Sequence, residues 1–307
     1  MLPSLLRRTL LPTLTTLSLT SIRPASTMAA SPTAFTLDKA IFNPTLYARM
    51  RAFWFGDLSP SAATPSFDAA QKWFGVGKSE QEKEAFDGEC RQNFVHALEA
   101  VGPERLALPR WEGYEREVEQ AGEVAAPFLP EIGGAQAEDE KKGADTLLAL
   151  IILLDQMPRN IYRDPAGLRK VYTHYDRLAF TLLHASMQLP NNPVNAPFYR
   201  RKPVYKTWFR MPLLHSEHLP SHDLWSQLVE EERKAIVSAG EQEALGFLEK
   251  SVEAEEKHVD LLRRFGRYPH RNGLVGRQTT AQEAEWLREG DTFGVKVGGG
   301  EEGKSEL

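Results

Sequence analysis

Residues 144–157 read ADTLLALIILLDQM. The eight residues 147–154 are all apolar, so a helix drawn through them has no polar face until Asp155. Eight residues fall far short of the roughly 20 that cross a bilayer. The stretch therefore predicts a helix buried inside a helical protein, with no membrane span. The segments on either side agree. Asn43-Pro44 suits a helix start, with Leu46, Met50, Phe53 and Trp54 at helical spacing and Gly56 as the stop. Ser79 and Glu82 have capping-box spacing ahead of a helix that runs to Gly102. Further helices are expected over 166–186, 204–213, 221–238, 241–265 and 281–290, the last capped by Thr280. Residues 190–203 are a Pro- and Asn-rich connection, and 121–143, rich in Gly, Ala and acids, read as a solvated loop or insertion. Strand alternation is nearly absent. The class is all-α, built from antiparallel helix pairs.

The 307 residues are 41% hydrophobic and 26% charged, ordinary globular composition with enough apolar content for a core. A net charge of −5 argues against nucleic-acid binding over the whole surface. With Cys90 as the single cysteine there is no disulfide framework and no cysteine-based zinc site; its helical surroundings predict a packed, inert thiol. Residues 1–37 carry Arg7, Arg8 and Arg23, many Ser and Thr, and no acid before Asp38. That composition predicts a mitochondrial presequence, with a secretory signal as the rival and Met28 as the start of a shorter cytosolic form. Residues 43–293 form the expected single domain, and 298–307 a disordered tail.

Four groups of polar residues stand out. Asp155 closes the apolar helix, where a carboxylate opposes the helix dipole; Arg159 is its nearest partner, either as a buried brace or oriented by it towards a ligand, with Asn160 beside it. His215-Ser216-Glu217 follows another helix, with Ser216 as a candidate cap and Glu217 in a favourable first turn. Glu255 and His258 share one helix face at the spacing helical metal proteins use, but the pair occurs once. Finally, 258–277 reads HVDLLRRFGRYPHRNGLVGR. Gly266 is a natural helix stop and the dipole accounts for one or two cations. Arg267, His270, Arg271 and Arg277 continue beyond it, as an anion site or a network of ion pairs would require.

The blocks Phe53-Trp54-Phe55-Gly56, residues 150–162 (LIILLDQMPRNIY), residues 212–217 (PLLHSE) and residues 264–272 (RFGRYPHRN) resemble, in order and spacing, those of domain-of-unknown-function family 924. The resemblance covers about residues 45–293. It implies an all-helical fold similar to tetratricopeptide-repeat proteins, a superhelical stack with a concave face, and leaves the activity unassigned. The family's blocks fall here on Asp155, Arg159, Asn160, Asp176, His215, Glu217, His258, Arg267, His270, Arg271 and Asn272. His218 and His222 stand where the family usually has an acid and a Gln, and 102–143 is longer than usual, as a lineage-specific insertion would be.

Two main function classes follow. In one, the blocks converge on a pocket for a small anion, a phosphate or carboxylate, with hydrolysis or transfer as the chemistry. Arg267 and Arg271 clamp the anion, Arg159, Asn160, Asn272 and His258 complete the binding set, His215 or His270 acts as acid or base, and Asp155 and Glu217 orient them. No metal ligand set and no cofactor is assigned, although Glu255 and His258 keep a metal-dependent helical enzyme as a further alternative. In the other class, a repeat-like scaffold grips an acidic peptide or a partner protein.

Overall fold

A computed structural model describes residues 35–133 and 140–290. The expected presequence, apart from residues 35–37, and the expected 298–307 tail lie outside the described residues. Within them every regular element is helical and no strand occurs.

Helix α1 (Pro44–Phe55) starts on Asn43, whose side chain accepts from the backbone N–H groups of Thr45 and Leu46. The packed region reaches back beyond it, since Leu37 and Phe42 are buried. Next come α2 (Phe67–Phe74) and α3 (Glu80–Ala100), the latter opened by the Ser79–Glu82 capping box. Trp54, Trp73 and Trp208 meet edge-to-face at centroid distances of 4.9 and 5.1 Å and fasten α1 and α2 to a later helix.

The loop expected over 121–143 is instead helical in its described parts, 121–133 and 140–143, and its residues 134–139 lie outside the described residues. With the residues just before it, 114–133 form three short helices, α4 (Tyr114–Glu119), α5 (Ala121–Val124) and α6 (Leu129–Ile132). Val124, Ala125, Phe128 and Ile132 recur at helical spacing and are buried; that stripe outweighs the Gly- and acid-rich composition around it. At Gly143 a Cβ would lie 2.7 Å from the Ile132 carbonyl oxygen, so a glycine is what lets the next helix pass this close.

That helix, α7 (Glu140–Ile151), is the centre of the fold. From Gly143 onward its residues are buried on all sides, against α1, α6 and the later helices. The helical path continues past Pro158. A π-turn, Ile152–Gln156, hands over to α8 (Met157–Ile161), with the Met157 N–H donating to the Ile152 carbonyl. Proline has no N–H and its ring presses on the carbonyl four residues back; a wide turn at this point lets the helix continue. The same device recurs: α9 (Pro165–Lys170), a π-turn at Val171–Tyr175, and α10 (Asp176–Met187) form one continuous helix.

Two 3-10 turns, Pro193–Asn195 and Pro197–Tyr199, lead into α11 (Pro203–Leu214). Then α12 (Leu219–Ala239) and α13 (Gln242–Phe265) pack together as a hairpin about Gly240, both lying on α11. Gly266 ends α13 in the left-handed conformation, φ 68°. A 3-10 turn at Pro269–Arg271 and α14 (Ala281–Glu289), with Thr280 and Glu283 as its capping box, complete the described chain. Among the described residues no helix is long and apolar enough to cross a membrane.

Candidate functional site

The two π-turns face each other, and their polar residues are the foundation of the site. Asp155 is fully buried. Its Oδ1 accepts from His215 Nδ1 at 2.9 Å and its Oδ2 from Gln156 Nε2 at 2.6 Å. Burial alone would raise the Asp155 carboxyl, but Arg159, His215 and Gln156 outweigh it and hold it at about 2. Arg159 donates to both oxygens of Asp176, at 2.7 and 3.0 Å, and to the Asp155 carbonyl at 2.6 Å. Asn160 donates to the Gln156 carbonyl at 2.9 Å. Arg159 and Asn160 thus cap carbonyls where the helix departs from regular bonding. Both were expected to bind ligand; their donors go to the fold instead.

A cavity of about 390 Å³ opens beside this brace, lined by residues of α4, the second π-turn, α10, α11 and the segment after α13. Trp111, Tyr114 and Phe180 form an aromatic wall, Trp111–Tyr114 at 4.8 Å and Tyr114–Phe180 at 5.3 Å. Asp176, His215 and Glu217 line it with Arg177, Arg271 and Arg277.

Two of the three arginines are already clasped. Arg277 takes both oxygens of Glu217, at 2.5 and 2.8 Å, and Arg177 both oxygens of Glu117, at 2.5 and 3.1 Å. Glu217 also accepts the Tyr268 N–H at 2.8 Å. Burial pushes its carboxyl up, but Arg277 and Arg271 outweigh it and keep it ionised. Arg271 differs. It is 7% exposed, between the Tyr172 and Tyr268 rings at 4.5 and 4.8 Å. Its nearest carboxylate is Asp176, at 3.7 Å and already held by Arg159. Among the described residues its guanidinium makes no hydrogen bond, and Nε is buried without a partner.

His215 is the other group open to chemistry. With Nδ1–H donated to the ionised Asp155, Nε2 carries the lone pair. Burial lowers the imidazole and Arg159 lowers it further, against the pull of Asp155, so the ring is neutral at pH 7 and can accept a proton.

Several expected site residues lie elsewhere. Arg267 donates to both oxygens of Glu283, at 2.6 and 2.9 Å, and to the Gln278 carbonyl, fastening α14; Arg277 lines the cavity where Arg267 was expected. His270 is buried against Tyr268, ring on ring at 5.7 Å, and burial holds it well below its ordinary value. His258 is buried with Nδ1 on the Ala254 carbonyl, pushed down to about 3 by burial. Asn272 is buried near Thr279. None of these four lines the cavity. Glu255 turns to His222, at 2.5 Å, so the Glu255–His258 face does not converge. Among the described residues no three His, Cys, Asp or Glu side chains gather as a metal site. Ser216 does not cap α12, because that helix starts only at Leu219, from His218; the Ser216 hydroxyl donates back to the Leu213 carbonyl, and Glu217 lies before the first turn.

Trp111, Tyr114, Glu117, Tyr172 and Arg177 also line the cavity, and none of them stands out among the polar blocks of the sequence. The signal was there in part: Trp111 and Tyr114 are aromatics in the segment taken for an insertion, and they form one wall of the cavity.

No curated protein matches the chain. A solved protein of unknown function from Agrobacterium tumefaciens is similar, with 24% identity and a TM-score of 0.46, over 82% of this chain and all of that one. The family described as "Bacterial protein of unknown function (DUF924)" matches residues 50–291, most of the chain, and the protein belongs to that family.

Proposed function

We propose that the cavity binds a small anionic molecule, a phosphate or a carboxylate, on Arg271, with His215 as the proton acceptor beside it. The observation that carries this reading is the Arg271 guanidinium, nine-tenths buried, facing the cavity and without a hydrogen-bond partner among the described residues. A buried guanidinium left without acceptors is costly; an anion supplies them in a geometry that the planar fork matches. The volume lies within the range of small-molecule sites and is small for the concave face of a peptide-binding scaffold. Reaction chemistry, hydrolysis or transfer, would run through the Asp155–His215 pair, in which Asp155 fixes the ring and Nε2 takes the proton.

The test is a thermal-shift screen of the full chain against inorganic phosphate and a set of small carboxylates. A stabilising anion should lose its effect in Arg271→Ala, lose most of it in Arg271→Lys, and keep it in Arg267→Ala. An anion that stabilises wild type and Arg271→Ala equally would end the proposal.

A further inference from the structure

Four guanidiniums, Arg159, Arg177, Arg271 and Arg277, line or back the cavity, and four carboxylates, Glu117, Asp155, Asp176 and Glu217, stand with them. The site is electrically balanced before any ligand enters. Sites that bind phosphoryl groups usually bring a surplus of positive charge; here a dianion would leave two uncompensated charges in a half-enclosed space. A monoanion leaves one, and a single proton cancels it. A zwitterion fares worse, because no carboxylate is free for its ammonium. Arg159 holds Asp176, Arg277 holds Glu217 and Arg177 holds Glu117, each through both oxygens.

The walls describe the rest of the molecule. A lone inorganic ion would touch Arg271 and leave the Trp111–Tyr114–Phe180 wall unused. That wall, with Tyr172, Pro212 and Val275, suits a flat apolar body. Trp111 is 44% exposed at the rim, a large ring left half-uncovered beside the opening.

Resting on the anion-site reading above, we infer that the ligand is an aromatic monocarboxylate, its carboxylate on Arg271 and its ring against Trp111, Tyr114 and Phe180, and that it enters together with one proton, taken by His215. His215 faces Asp155 on the first π-turn, Arg159 on α8, Asp176 on α10 and His258 on α13, and shares the cavity with Arg271. His258 is neutral, and the charges of Asp155, Arg159, Asp176 and Arg271 cancel. A carboxylate on Arg271 therefore tips the balance towards imidazolium, with Asp155 already accepting from Nδ1. While the ligand stays ionised, affinity rises as pH falls below neutrality and weakens as pH rises above it.

Titration calorimetry of the full chain at pH 7.5 with benzoate, phenyl phosphate and acetate, in two buffers of different ionisation enthalpy, tests this. Benzoate should bind about tenfold tighter than phenyl phosphate and about tenfold tighter than acetate, with uptake of about one proton. Trp111→Ala, at an exposed position that leaves the core intact, should weaken benzoate about three- to tenfold and leave acetate unchanged. His215→Gln should abolish proton uptake. Phenyl phosphate binding as tightly as benzoate, or benzoate binding without proton uptake, overturns the inference and leaves an anion site at Arg271 standing. If none of the three anions binds, both readings fall.

Discussion

Asp155→Asn isolates the charge of one buried carboxylate with almost no change of shape. Held at about 2 against an ordinary value of about 4, the carboxylate contributes about 2 kcal/mol to folding at neutral pH. Asparagine also offers one acceptor oxygen to two donors, His215 Nδ1–H and Gln156 Nε2. One donor is orphaned, at about 1 kcal/mol or more. The total, about 3 kcal/mol, is at the lower end for breaking a buried ion pair, because Arg159 keeps both oxygens of Asp176. For a domain of this size it corresponds to a fall in Tm of about 6–12 °C. The pH dependence sharpens the test. Asp155 is depressed in the fold, so its stabilisation is present above about pH 4 and is lost as pH falls through its folded value. His215 loses the partner that raises it, so its protonation below about pH 6.5 opposes folding more strongly in the variant. The stability gap between the two proteins, measured by urea unfolding, should widen modestly from pH 7 to 5 and then shrink from pH 4 downwards. A gap that stays flat down to pH 3, or is absent at pH 7, would refute the claim that Asp155 is ionised within the fold.

Other outcomes follow from the same geometry. Arg267→Ala should loosen α14 at a cost of about 1 kcal/mol, since the Arg267–Glu283 pair is partly exposed, and calorimetry should find ligand affinity unaltered. Glu217→Ala should release Arg277 and the Tyr268 N–H together; limited proteolysis should then cut the 272–280 segment faster than in the wild type. Burial pushes the Cys90 thiol up to about 12, so a thiol reagent at pH 8 should label the unfolded chain promptly and the native protein hardly at all.

Most helix boundaries were legible because the forces that set them are local. Asn43 with Pro44, Ser79 with Glu82, Thr280 with Glu283 and Gly266 each act within one turn of themselves. Asp155 was legible because it ends an apolar run, and His215, Glu217 and Arg271 because they fall in the blocks that carry the family resemblance. The failures have one cause in common. Arg267 and Arg277 are equivalent in composition and in local context, but one meets a carboxylate 16 residues away and the other meets one 60 residues away. Nothing in the spacing of 258–277 says which will turn to the cavity. Residues 121–133 are helical for a related reason: Gly122, Glu123 and Gly133 face water, while Ala121, Val124, Ala125, Phe128 and Ile132 are buried and Glu131 turns to Tyr47, 84 residues away.

The π-turns were not legible at all, and they explain why the brace exists. One extra residue in a helical turn rotates everything after it by about 100°, so a face computed at 3.6 residues per turn is wrong beyond Ile152 and again beyond Val171. Without the first turn, Arg159 would present a different face from the one that now meets Asp176. Without the second, Asp176 would leave the face on which Arg159 waits. The two irregularities together let a single guanidinium reach two elements. On one side it steadies Asp155, which holds the His215 ring by Nδ1; on the other it occupies both oxygens of Asp176, leaving that carboxylate no strong bond to offer Arg271 at 3.7 Å. Arg159 is therefore a positioning residue whose loss should show at His215 and Arg271 together. The proton uptake that accompanies benzoate binding and the affinity itself should fall in the same variant, Arg159→Met, whereas a purely structural role would lower stability and leave both ligand terms intact.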